Sequence, residues 1–310
     1  MIRPMPFISL IFILINIPLL SQEKPVMICE WGEFGDKPGQ MKYPAMIAAD
    51  NNSNIYVVDQ HNHRIQKFDP DGNFILMWGR QGPGEGEFNF PYGLAIDSKG
   101  YVYVTDMNNN RIQKFSAEGT FIKSTGNYGT GNGEFKYPYG VAVDANDILY
   151  VIDAFNYRIQ KFDTDLTFIS AWGSQESIGF KLYMPHEIAV DKEGNIILSD
   201  RQNHRISVFT DDGNLIRRFG GFGEGEDTRG GLFSEPHGVA VNKNGDIFVC
   251  DRYNFRVQKF NTGMQFQSLW ITPGPPDDSK HFPLGIAATG GFVYVTDHFE
   301  HCILKYSVSK

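Results

Sequence analysis

A chain of 310 residues, 41% hydrophobic and 14% aromatic, can bury a large core. Its 33 glycines suit many short strands joined by tight turns. A net charge of −8 argues against general binding to nucleic acid or to anionic membranes, because both need a basic surface.

The first 21 residues read apart from the rest. Arg3 is their one charge, and Phe7 to Leu20 is apolar except for Ser9 and Asn16. A basic end, a short apolar run and the small Ser21 form the pattern of a signal peptide over residues 1–21. The apolar run is shorter than the roughly 20 residues that a spanning helix needs. The expectation is an exported protein, secreted or periplasmic, with residues 25–310 as the mature domain, no integral membrane segment and a monomeric state. An uncleaved anchor is the alternative.

From there the chain repeats. Pro44, Pro91, Pro138, Pro185, Pro236 and Pro283 are separated by steps of 47, 47, 47, 51 and 47 residues. Asp59, Asp106, Asp153, Asp200, Asp251 and Asp297 recur in the same rhythm. Such a period outranks local readings. Each copy contains four strand-like runs, seen in Leu94–Asp97, Tyr101–Asp106, Arg111–Phe115 and the stretch ending at Gly126, with turn residues between them. No stretch carries a sustained helical period. The fold class is therefore all-β: a six-bladed β-propeller of four-stranded antiparallel blades.

The sixth copy stops one strand short, and the missing strand stands at the other end. Met27 to Gly32 (MICEWG) matches Phe74 to Gly79 (FILMWG). The N-terminal strand is expected to complete the last blade and close the ring. Cys302 then aligns with Arg64 and Cys29 with Leu76, on neighbouring strands. A two-residue shift of register would let Cys29 and Cys302 form a disulfide across the closure, with Cys250 as a buried core thiol. The Asp–Arg pairs 59/64, 106/111, 153/158, 200/205 and 251/256 recur in five copies and so read as scaffold. His61, His63, His204, His281 and His301 are expected to be solvated loop residues.

Copies such as YGVAVDANDILYVIDAFNYRIQKFDTDLTFISAWG closely resemble the NHL repeat, over Pro25 to Lys310. The resemblance implies a propeller. It leaves function open, because NHL propellers serve as interaction platforms, as sensors and as one class of enzyme.

Within the repeat, the residue after the proline and the residue after the aspartate should face one mouth of the central channel. After the proline stand Ala45, Tyr92, Tyr139, His186, His237 and Leu284. After the aspartate stand Gln60, Met107, Ala154, Arg201, Arg252 and His298. Blades one to three offer mainly apolar and aromatic groups; blades four to six offer His186, Arg201, His237, Arg252 and His298. A scaffold ring would repeat one residue, so this asymmetry marks a ligand site that draws on Tyr92, Tyr139, Arg201, Arg252 and His298. The expected partner is a protein, peptide or glycan.

The segments MPHEIAVDKEGNIILSDR and EPHGVAVNKNGDIFVCDR resemble the site motif of the peptidyl-α-hydroxyglycine amidating lyases, which release a peptide amide by C–N cleavage. That resemblance implies His186 and His237 as zinc ligands, Glu187 as an acidic calcium contact, and Arg201, Arg252 and Tyr253 as catalytic residues. The family places three histidines on alternate blades. Here two lie on adjacent blades, and the third proline-linked histidine is absent. Two functions stay open: a binding module with a polar or metal site at the mouth, and a metal-dependent lyase.

Overall fold

The structure, a computed structural model, describes residues 25–173, 182–224, 230–272 and 281–308. The expected signal segment lies outside them. Among the described residues, six four-stranded antiparallel sheets account for nearly all regular structure, with short 3-10 turns as the only helical pieces. No described helix is long and apolar enough to cross a membrane.

Blade one shows the plan. Its strands are Pro44–Ala49, Ile55–Asp59, Arg64–Phe68 and Phe74–Trp78, paired in sequence order. The second strand is wholly buried and continuously apolar up to its aspartate, because neighbouring blades cover both of its faces. The outer strand alternates and is partly exposed. The core lies between blades: Tyr103 and Ile112 of blade two pack with Val151 and Phe162 of blade three. The first strands of successive blades touch all the way round, including blade six against blade one.

The ring closes as the sequence predicts. Strand Val26–Trp31 pairs antiparallel with Cys302–Ser307 and completes the sixth blade. Trp31 caps the seam, 6.2 Å from the Phe68 ring and 6.1 Å from Tyr294.

The expected disulfide is corrected by this register. Cys29 sits opposite Lys305, and an irregularity between Met27 and Cys29 separates it further from a simple ladder. Cys302 lies three residues from Lys305. At about 3.3 Å per residue the thiols are far beyond bonding reach, and an odd offset puts them on opposite faces of the sheet. All three cysteines are free, Cys250 and Cys302 being buried.

The Asp–Arg scaffold behaves as its recurrence predicts. Asp59 Oδ2 accepts bonds from Arg64 Nε (2.7 Å), Asn62 Nδ2 (2.9 Å) and Gln66 Nε2 (3.0 Å), while Oδ1 accepts the Lys42 amide. Arg64 in turn donates to the carbonyls of Asp36, Lys37 and Gln40, tying the blade to its inbound loop. Equivalent Asp–Arg bonds recur at Arg111, Arg158, Arg205 and Arg256.

The histidines expected to be solvated are a second correction. His63, His204 and His301 accept the amides of Phe90, Glu235 and Tyr43 through Nδ1. His281 is buried and pairs with Asp297. Only His61 of the five is exposed. In each case the ring satisfies a group that the loop would otherwise bury unpaired.

Candidate functional site

Two local features aim side chains at the mouth. Each first strand starts at its proline, where the missing N–H is tolerated. It carries one extra residue before the next pair: Pro185 pairs with Asp200 and Ile188 with Leu198. The same bulge follows Pro236. A bulge re-aims the side chains it contains, here His186 and His237. On the facing strand, the chain leaves Asp200 and Asp251 directly into 3-10 turns that begin with Arg201 and Arg252.

The result is a contiguous cluster. Ring centroids are 5.0 Å apart for Tyr92 and Tyr139, 4.7 Å for Tyr139 and His186, and 4.3 Å for His186 and His237. Tyr92, His186 and His237 are buried. Ala45, Tyr92 and Leu284 belong to one apolar cluster, the expected greasy side of the opening. His298 turns toward blade one: its Nδ1 donates to the Pro44 carbonyl at 3.1 Å, and its ring faces Tyr43.

The hydrogen bonds fix the tautomers. Arg201 Nη1 donates to His186 Nε2 at 3.1 Å, and Arg252 Nη1 donates to His237 Nε2 at 3.2 Å. Burial and the neighbouring arginines push both histidines well below their ordinary value. A neutral ring that accepts at Nε2 carries its proton on Nδ1. His186 Nδ1 therefore donates to Tyr92 Oη at 2.7 Å. The equivalent nitrogen of His237 is buried and has no partner. Burial also brings His298 down to about 4, so it too is neutral.

The two arginines differ. Arg201 donates through Nε to Glu235 Oε2 at 2.7 Å and is an ion pair with it. Arg252 forms no ion pair among the described residues, and its Nε is buried without an acceptor. It lies instead against rings, 5.3 Å from the Tyr253 centroid and 6.0 Å from Phe299. The mouth thus holds a guanidinium without a counter-ion and an orphaned imidazole N–H on the same His–Arg pair. Buried donors of this kind call for an acceptor, and the unbalanced cation calls for a negative one.

The residues suggested as a metal set do not assemble. No group of three His, Cys, Asp or Glu among the described residues can hold a metal ion. Both Nε2 atoms already face guanidinium N–H groups, and a nitrogen that accepts such a proton has no lone pair left for a metal. Glu187 stands one residue further along the strand, in a row that holds Met46 in blade one and Gly93, Gly140, Gly238 and Gly285 in the others. A Cβ on Gly140 would lie 3.1 Å from Glu187 Oε1. The donors present therefore do not fit zinc or calcium in this arrangement.

Of the sequence-predicted site residues, Tyr92, Tyr139, His186, His237, Arg201, Arg252 and Tyr253 come together. His298 flanks them, and Glu187 lies near enough to Tyr92 for its charge to raise that phenol. Glu235 was missed. Its signal was available: the residue before the proline is Tyr43, Phe90, Tyr137, Met184 and Phe282 in the other blades, and a carboxylate only here.

Comparisons with known proteins agree with this architecture. The NHL repeat matches at residues 41–68, 182–209 and 233–260, and a six-bladed β-propeller domain matches at residues 97–172. Among curated relatives, the B-box type zinc finger protein ncl-1 of Caenorhabditis elegans is 40% identical over 55 residues, 18% of this chain and 6% of that protein. A probable peptidyl-alpha-hydroxyglycine alpha-amidating lyase of the same organism, pgal-1, is 35% identical over 82 residues, 24% of this chain and 23% of that protein. The chain thus spans less than a quarter of either. Among solved structures, a streptogramin B lyase superposes with TM-score 0.59 at 17% identity, covering 91% of this chain and 87% of that one. A gluconolactonase from Xanthomonas campestris gives 0.64 at 14% identity, covering 94% and 99%. At such identities the likeness is one of fold.

Proposed function

We propose that this chain, whose NHL repeats build a six-bladed β-propeller, is an exported binding module that seats a carboxylate-bearing ligand of peptide type at the mouth on blades four to six. The observation that carries the reading is Arg252: a guanidinium that has no carboxylate partner among the described residues, joined to a histidine whose other N–H is buried and unpaired. A carboxylate offers acceptors for these donors. In a site shielded from water such charge-assisted bonds are roughly twice as strong as neutral ones. The neutral histidines orient the arginines and contribute donors. The apolar segment in residues 1–21, with its basic start and small Ser21, supports the export part of this reading.

The test is calorimetric. N-acetylphenylalanine should bind the purified protein and its amide should not, and Arg252→Gln should abolish binding of the acid. Equal binding of acid and amide would overturn the reading.

A second reading is a metal-dependent lyase, favoured by the local similarity to the amidating lyase and by the paired Pro-His and Asp-Arg segments. It requires both arginine–histidine bonds to open and a third ligand to move in. Zinc analysis of the purified protein decides it: a stoichiometric metal lost in the His186→Ala, His237→Ala double variant supports the lyase, and substoichiometric zinc removes it.

A further inference from the structure

Glu235 occupies, inside the protein, the place that a ligand carboxylate would take on Arg201. Its backbone is fixed at a left-handed φ of +50°, its amide is held by His204 Nδ1 at 3.1 Å, and Pro236 follows. This leaves the carboxylate against Arg201, whose Nε and Nη2 it takes while His186 holds Nη1. All three nitrogens of one guanidinium are therefore engaged. On Arg252, among the described residues, only Nη1 has a partner. The two His–Arg pairs are copies of one motif on adjacent blades, and the mouth has been neutralised on one copy alone.

The surroundings of the open copy are also distinct. Tyr253 and Phe299 flank Arg252 and are 42% and 44% exposed, large values for rings beside a buried cluster. Phe282 packs 4.8 Å from Phe299 and 6.4 Å from Tyr253, which makes a continuous apolar wall. Rings in this arrangement take an apolar or aromatic body lying beside the charge that Arg252 binds.

We propose that the mouth selects ligands with a single carboxylate attached to an apolar body, and that Glu235 is the specificity-determining residue, excluding a second carboxylate from Arg201. This rests on the carboxylate-binding reading above. A dianion placed across the two arginines would have to displace Glu235 or lie against it, and either is unfavourable: one strands a partly buried carboxylate, the other sets like charges together. Removing the charge of Glu235 frees a second guanidinium of the same kind.

Hydrocinnamate and phenylsuccinate are the probes, since they share an aromatic body and differ by one carboxylate. Calorimetric titration of the full chain at constant ionic strength should show hydrocinnamate preferred by about tenfold or more, the discrimination expected for a charge-assisted bond. Glu235→Gln should abolish or invert that preference, mainly by tightening phenylsuccinate. Its thermal unfolding curve confirms that the variant is folded. If hydrocinnamate binds, and does so through Arg252, while E235Q leaves the preference unchanged, the selectivity role is wrong and the carboxylate site stands. If neither acid binds the wild-type protein, the carboxylate site itself is wrong and Glu235 selects nothing.

Discussion

Glu187 separates what repeat comparison reveals from what it hides. Its neighbour His186 was legible in the sequence because four other blades place a tyrosine, an alanine or a leucine after the proline, making the exception visible. The environment of Glu187 was not legible, because it depends on how closely the first strands converge at the axis. A Cβ on Gly93 would come within 2.4 Å of the Tyr139 carbonyl, and one on Gly285 within 2.5 Å of the Ala45 carbonyl. Four blades meet that crowding with glycine, blade one carries Met46, and Glu187 places a buried carboxyl in the row with Oε2 unpartnered. Burial pushes it up to about 8 from 4.5, the Ile188 amide offsetting only part. A raised acid contributes fully below its unfolded value and loses that contribution as pH climbs through its folded one. The protein should therefore lose stability between about pH 4.5 and 8, by on the order of 4 kcal/mol from this group. Glu187→Gln should raise the chemical denaturation midpoint at pH 8, give no gain at pH 4.5, and flatten the interval between. Parallel curves for the two proteins would show that Glu187 does not titrate there.

Elements show the same division. Strand order, blade count and the closing strand follow from spacing alone, since period and turn chemistry are written into every copy. Exceptions within a blade are harder to read when the compensating residue comes from a linker. Blade six replaces the arginine of the other five blades with Cys302, so Asp297 lacks the usual guanidinium. The structure supplies His281 from the inbound linker, its Nδ1 bonded to Asp297 Oδ2. Nothing in the repeat predicts that partner, because the linkers vary in length and composition. Burial alone disfavours the imidazolium. The Asp297 bond and charge, with Glu30 and Glu300 nearby, outweigh it and raise His281 above 6.5. This contribution is complete below 6.5 and disappears as pH rises through the higher folded value. Blade six should therefore weaken in mildly alkaline solution while the five arginine-held blades do not. Hydrogen exchange of strands Phe292–Asp297 and Cys302–Ser307, corrected for intrinsic pH dependence, should quicken there ahead of blade two. His281→Ala should destabilise by about 3 kcal/mol at pH 6, the usual loss when one partner of a buried pair is removed. A midpoint for that variant equal to wild type at pH 6 would mean the pair is not formed.

At the scale of the molecule, closure is non-covalent, and this follows from register. The Cys29–Cys302 bridge looked reachable from the sequence because a hairpin offset can be counted but an irregularity cannot. The chain spends that offset between Met27 and Cys29, leaving Lys305 opposite Cys29. Strand Val26–Trp31 is mostly exposed on the rim, so burial of its own side chains holds it weakly. What holds it is the ladder to Cys302–Ser307 and the Trp31 ring wedged between Phe68 of blade one and Tyr294 of blade six. Reductant should therefore leave the unfolding midpoint unchanged, and a drop would show a disulfide that the register forbids. Trp31→Ala should cost about 2–3 kcal/mol, somewhat less than the loss of a fully buried tryptophan. Deleting residues 25–32 has a different consequence. It leaves Cys302–Ser307 as an open edge with unpaired N–H and C=O groups, a template for another chain. Light scattering after gel filtration should show association of the deletion protein, with the Trp31→Ala protein still monodisperse at wild-type mass, because the edge stays covered when only the ring is lost. A synthetic peptide spanning Val26–Trp31 should suppress the association by pairing with the vacant edge. A deletion protein that keeps both wild-type mass and wild-type stability would show that the ring does not depend on its closing strand.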